Sequence, residues 1–105
     1  MKNNMEYTKG EWKVNGFDKR LVQVDLYDGV NRFGIADCSN TGLLPEQEIA
    51  NAQLISAAPE MYEALKVVYE LLKMQYSIVL GHYPNYDKYT EIEQVEKALA
   101  KAEGR

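Results

Sequence analysis

Tyrosine is the residue type this chain concentrates. There are eight; Tyr62, Tyr69 and Tyr76 recur every seven residues, and Tyr83, Tyr86 and Tyr89 crowd the segment that follows. Seven residues is almost two helical turns, so the first three line one edge of a helix. A tyrosine offers a flat apolar body and a polar tip, so such a ribbon can stack on a base or anchor a protein partner. It can also flank a core with its hydroxyls in water. His82 is the only histidine and the one group that titrates near neutral pH without a large shift. Tyr62, Tyr69, Tyr76, His82, Tyr83 and Tyr86 are therefore the candidate ligand- or partner-binding residues.

Catalysis finds no constellation. A nucleophile needs a base and an orienting group, and a metal needs three or four ligands. The chain has one histidine and one cysteine, His82 and Cys38, 44 positions apart. Carboxylate pairs such as Glu60 with Glu63, or Glu93 with Glu96, have the spacing of solvated helix faces. Gly10, Gly16, Gly29, Gly34 and Gly42 match neither the dinucleotide fingerprint nor the phosphate-loop pattern. The expectation is a protein that is not an enzyme, with no catalytic residue, no metal and no cofactor.

Charge narrows the partners. Up to Gly42, six Lys/Arg balance six Asp/Glu; from Leu43 onward ten Asp/Glu face six Lys/Arg, so the whole net charge of −4 lies in the second half. Duplex nucleic acid is bound through cationic contacts to phosphates, which this balance does not favour. The polar start lacks the apolar region of a signal peptide, no run of about 18 apolar residues is present, and a lone cysteine suits a reducing compartment. Cytoplasm is expected, with no membrane partner.

The elements that must position these residues follow from two periodicities. Glu11 to Asn15 alternates polar and apolar, as does Arg20 to Leu26, and Val30 to Cys38 supplies a returning strand after the Asp28-Gly29 turn. Three antiparallel strands in a meander result, with Val22, Val24 and Leu26 on the one fully apolar face. Pro45 suits a first helical turn, with Glu46 and Glu48 complementing the helix dipole. That helix runs to about Ala58, with Ile49, Ala52 and Ile55 toward the sheet. Pro59 interrupts and restarts it, with Ser56 as a cap near the junction.

A long helix then spans about Pro59 to Leu80. Its stripe is Met61, Leu65, Val68, Leu72 and Val79, widened by Ala64, Val67 and Leu71. So broad a face needs two partners, the sheet and a last helix of about Glu91 to Glu103 with Ile92, Val95, Leu99 and Ala102 inward. Thr90 with Glu93 has capping-box spacing and Gly104 is the stop. The fold class is α+β: a three-stranded antiparallel meander packed against a kinked helix pair and a C-terminal helix. One domain of 1–105 is expected, with residues 8–40 as the β layer and 45–103 as the helical layer. A chain this small gains from pairing with a copy of itself, so a homodimer or higher oligomer is expected.

Trp12, opening the first strand, is read as sealing the end of the core. The segment Thr8-Lys9-Gly10-Glu11-Trp12-Lys13-Val14, the strand end Ile35-Ala36-Asp37, and the stretch Asn51 to Lys66 (NAQLISAAPEMYEALK) together resemble a widespread group of small proteins of bacteriophages and prophages. That group shows a T-x-G-x-W start and an A-N-A-x-L-I-A-x-A-P-E-x-x-x-A-L helix pair. The resemblance covers about residues 8 to 72 and carries no assigned active residue. It implies a phage accessory protein made in the infected bacterium and outside the virion. Small phage proteins of this kind often counter host defences, so the resemblance implies a protein that sequesters a nucleotide immune signal or occludes a host defence protein. The alternative is a host-takeover factor with no ligand.

Overall fold

A computed structural model describes residues 6–25, 32–82 and 90–105. The chain is α+β, in the order β1 (Glu11–Val14), β2 (Leu21–Asp25), β3 (Arg32–Asp37), α1 (Pro45–Ser56), α2 (Ala58–His82) and α3 (Thr90–Ala102). It divides into two compact units, Met1–Pro59 and Glu60–Arg105. The Asp28-Gly29 turn and Leu26 lie outside the described residues.

In the first unit the strands form an antiparallel sheet in the order β1-β2-β3. Trp12 pairs with Val24 and Val14 with Val22; on the other side Val22 pairs with Ala36 and Gln23 with Gly34, with an irregularity between Val22 and Gln23. Alternation puts Val22 and Val24 on one face, and both are fully buried. Helix α1 covers that face through Ala52, itself fully buried, with Ile55 beside it; Cys38, Trp12, Val14 and Ile35 complete the core.

Several local motifs have physical reasons. Pro45 is the first residue of α1, where its missing N–H leaves nothing unpaired. The Gln47 side chain reaches back to accept from the Leu44 N–H at 3.1 Å. Ser56, expected to cap the following helix, instead donates its hydroxyl to the Gln53 carbonyl at 2.7 Å. It thus finishes α1, bonding back to a carbonyl of the same last turn that also takes the Ala57 N–H at 3.2 Å. Pro59 is the second residue of α2, as the break required, and is buried.

The T-x-G-x-W segment has its own account. Gly10 sits at φ +125°, and a Cβ there would lie 2.7 Å from Val24 Cγ2, so only glycine fits. The Trp12 indole N–H donates to the Thr8 carbonyl at 2.8 Å, tying the start of β1 back on itself, and Tyr7 meets the Trp12 ring edge to face at 6.2 Å.

The second unit is a helical hairpin. Ile92 and Leu99 of α3 are buried and Val95 is half-buried, while Ala102, expected inward, is exposed. Facing them along α2 are Tyr62, Leu65, Tyr69, Leu72 and Tyr76, all half-buried. Met61 and Val68, expected inward, are exposed instead, as are Val67 and Leu71. The seam to α3 has moved onto the tyrosine edge because α3 supplies carboxylates there for the phenol hydroxyls. Gly104 ends α3 at φ +74°, and the Arg105 N–H returns to the Ala100 carbonyl at 2.8 Å, a left-handed stop.

Candidate binding surface

The tyrosine ribbon is built into the hairpin. The Tyr62 hydroxyl donates to Glu103 Oε2 at 2.6 Å and the Tyr69 hydroxyl to Glu96 Oε2 at 2.9 Å. The hydrogen bond to Glu103 raises the Tyr62 phenol pKa, and the same bond lowers that of the Glu103 carboxyl. On the ring faces stand lysines one helical turn on: Lys66 Nζ lies 4.7 Å from the Tyr62 centroid and Lys73 Nζ 4.4 Å from that of Tyr69, distances of a cation–π contact. Each lysine also pairs with the glutamate three residues back, Lys66 with Glu63 at 3.1 Å and Lys73 with Glu70 at 3.0 Å. The seven-residue recurrence thus repeats a whole unit of Tyr, Glu and Lys. Tyr76 is half-buried on the same edge. His82 is the last residue of α2, and Tyr83 and Tyr86 lie outside the described residues.

A different cluster organises one end of the sheet. The β1–β2 connection and the β3–α1 connection leave the sheet at the same end, since Val14, Val22 and Ala36 are neighbours across the strands. Glu48 of α1 reaches into that end and is only 3% exposed. Its Oε2 accepts from the Thr41 backbone N–H at 3.0 Å and the Thr41 hydroxyl at 2.8 Å; its Oε1 takes Arg20 Nη1 at 3.3 Å. A buried carboxylate is tolerated only when its oxygens are satisfied in this way. The bonds from Thr41, helped by Arg20, hold the Glu48 carboxyl below the usual carboxylate range. Arg20 in turn forks onto Asp18, Nε to Oδ1 at 2.9 Å and Nη2 to Oδ2 at 3.0 Å. That fork lowers the Asp18 pKa and, with Glu48, raises that of the guanidinium.

The same network fixes the backbone of exposed apolar residues. Asn15 Oδ1 accepts from the Phe17 N–H at 2.8 Å and the Asp18 N–H at 2.9 Å, an Asx-type turn. Thr41 Oγ1 accepts from the Leu43 N–H at 3.1 Å, and Gln47 holds the Leu44 N–H. The side chains so displayed are in water: Phe17 at 101% exposure, Leu44 at 63% and Leu43 at 48%. The sequence pattern gave Glu48 only a helix-dipole role and marked no site in these connections. An aromatic residue after an Asn turn, and Leu-Leu just before a Pro-started helix, were the signals that could have marked them.

Over β2 and β3 lies a groove of about 470 Å³ with Asn15, Gln23, Arg32 and Asp37 in its wall. Its polar groups are linked to one another: Asn15 Nδ2 donates to Gln23 Oε1 at 2.8 Å, and Gln23 Nε2 to Asp25 Oδ1 at 3.0 Å. Asp25 also takes Lys13 at 2.8 Å and Arg32 at 3.8 Å, and the Lys13 bond lowers its pKa. Asp37 accepts from both the hydroxyl and the N–H of Ser39, which lower its pKa. No group of three or more His, Cys, Asp or Glu that could hold a metal ion occurs among the described residues.

The chain is therefore a small α+β protein of two compact units, in which, among the described residues, no helix is long and apolar enough to cross a membrane. It belongs to the family described as Salmonella phage P22 protein Y8K6, whose model matches residues 1–105, and so it is a phage protein. No curated protein and no solved structure matches it significantly.

Proposed function

We propose that this phage protein is a non-enzymatic accessory factor that counters host defence in the cytoplasm of the infected bacterium by binding and occluding a host protein. The observation that carries the reading is the display of Phe17, Leu43 and Leu44 in water on backbone locked from behind by Asn15, Thr41 and Gln47. Apolar anchors held on pre-ordered backbone lose little entropy on binding, which is what protein recognition rewards. The partner that fits them presents an apolar pocket. The tyrosine ribbon supports a protein partner over a sequestered nucleotide signal, since Tyr62 and Tyr69 are half-buried, bonded to Glu103 and Glu96, and each carry a lysine on one ring face.

The test is capture from host lysate on the immobilised full chain, followed by titration of the recovered protein. The wild type should retain one stoichiometric partner, and Phe17→Ala and the Leu43→Ala/Leu44→Ala pair should each weaken it by about tenfold or more with unchanged circular dichroism. Recovery of no partner at low salt, or full affinity in both variants, rejects the reading. Heat on titration with a cyclic nucleotide would return the function to signal sequestration.

A further inference from the structure

We infer that the outward face of α2 is the seat of a symmetric dimer, covered by the same helix of a second copy of this chain. Helix α2 carries two apolar stripes. One, Tyr62, Leu65, Tyr69, Leu72 and Tyr76, steps by three and four and turns to α3. The other is centred about 130° round the helix from the first, its Met61 and Val68 adjoining Leu72 and the rest turned away, and its side chains stay exposed beside α3. It consists of Met61, Val67, Val68, Leu71, Met74 and Ile78, whose exposures run from 42% to 60%, with Ala64 among them.

The second stripe has the spacing of a helix–helix seam. Ala64, Leu71 and Ile78 recur every seven residues, and Met61 with Val68 and Val67 with Met74 repeat the same interval. A seven-residue apolar repeat is met by another helix carrying the same repeat, and a second copy supplies one by definition. Symmetric pairing needs one self-complementary patch, and this stripe is continuous for about 25 Å along the axis. The salt-bridged Glu63–Lys66 and Glu70–Lys73 pairs border it on one side, giving the polar rim of an interface.

The area is of the right size. Six large side chains left about half uncovered offer on the order of 500 Å² of apolar surface, the upper end of what a monomer leaves in one patch. Two such faces together remove on the order of 1,000 Å² from water, the least that a specific interface buries. Leu71 stands near the middle of the stripe, so it meets its own symmetry mate whether the two helices run parallel in register or antiparallel about their centre.

Sedimentation of the full chain between about 1 and 100 µM should show a dimer. Leu71→Lys should shift it to monomer across that range, with helicity retained because the residue is 55% exposed. A second variant guards against misfolding: Leu71→Cys should form a disulfide-linked dimer on mild oxidation, whereas Phe17→Cys should not. A monomeric wild type at 100 µM overturns the inference, as does a dimer that survives Leu71→Lys or that cross-links through Phe17→Cys alone. Because Phe17, Leu43 and Leu44 lie outside this face, loss of the dimer leaves host-protein binding to be judged separately.

Discussion

Glu48, the fourth residue of α1, and Thr41, in the connection before it, hold each other at two points: one carboxylate oxygen accepts both the backbone N–H and the hydroxyl of the threonine. The opposite oxygen takes Arg20 from the β1–β2 connection. One buried side chain thus ties a helix to two loops and sets the platform on which Phe17 and Leu43 stand.

Acid should loosen that platform. The Glu48 pKa is lowered in the folded chain by its Thr41 bonds, so its contribution is complete above the unfolded value, near 4.5, and is lost as pH falls through the folded one. Asp18, Asp25, Asp37 and Glu103 are lowered too and act in the same direction. Urea midpoints should be flat above about pH 5 and fall below it. Glu48→Gln should start lower and fall less steeply. An unchanged pH slope in the variant would show that Glu48 is not a source of the acid sensitivity.

The hairpin should respond at the other end of the scale. The Tyr62 phenol is raised above its ordinary 10.0 by the bond it donates to Glu103. Stability from this group is complete below that value and is lost as pH rises through the folded one. Ultraviolet titration should show a tyrosine ionising later than the rest. Tyr62→Phe should remove that late step and lower the urea midpoint at neutral pH, and persistence of the step would assign it to another residue.

Gly10→Ala should be costly although it adds one methyl group. The backbone at φ +125° excludes side chains, and the new Cβ would press on Val24, which is fully buried. Strain of this kind is worth about 1 to 3 kcal/mol, to which displacement of Val24 adds. Chemical denaturation that found Gly10→Ala as stable as Gly16→Ala, where a Cβ meets nothing within 4 Å, would contradict the close approach.

Leu99→Ala should destabilise the hairpin by about 2 to 5 kcal/mol, because Leu99 is 4% exposed in its seam. Leu71→Ala should cost far less in the monomer, its side chain being 55% exposed. Equal losses in the two variants would mean that both faces of α2 are covered within one chain.

Residue order alone carried the class and the succession of elements, since those depend on local rules. Alternation around Trp12 and Val22 makes strands, Pro45 and Pro59 start helices, and Gly104 stops one, whatever lies across from them. It also marked the seven-residue recurrence of Tyr62, Tyr69 and Tyr76 and the phage resemblance. Which face of α2 meets α3 was not legible, because Met61, Val68 and Leu71 are as apolar as Leu65 and Leu72; Glu96 and Glu103, distant in sequence, decided it by accepting hydrogen bonds from the phenol hydroxyls. The role of Glu48 was hidden for the same reason. A carboxylate in a first helical turn looks solvated until Arg20 and Thr41, brought to it from either side of β2 and β3, take it out of water and satisfy it.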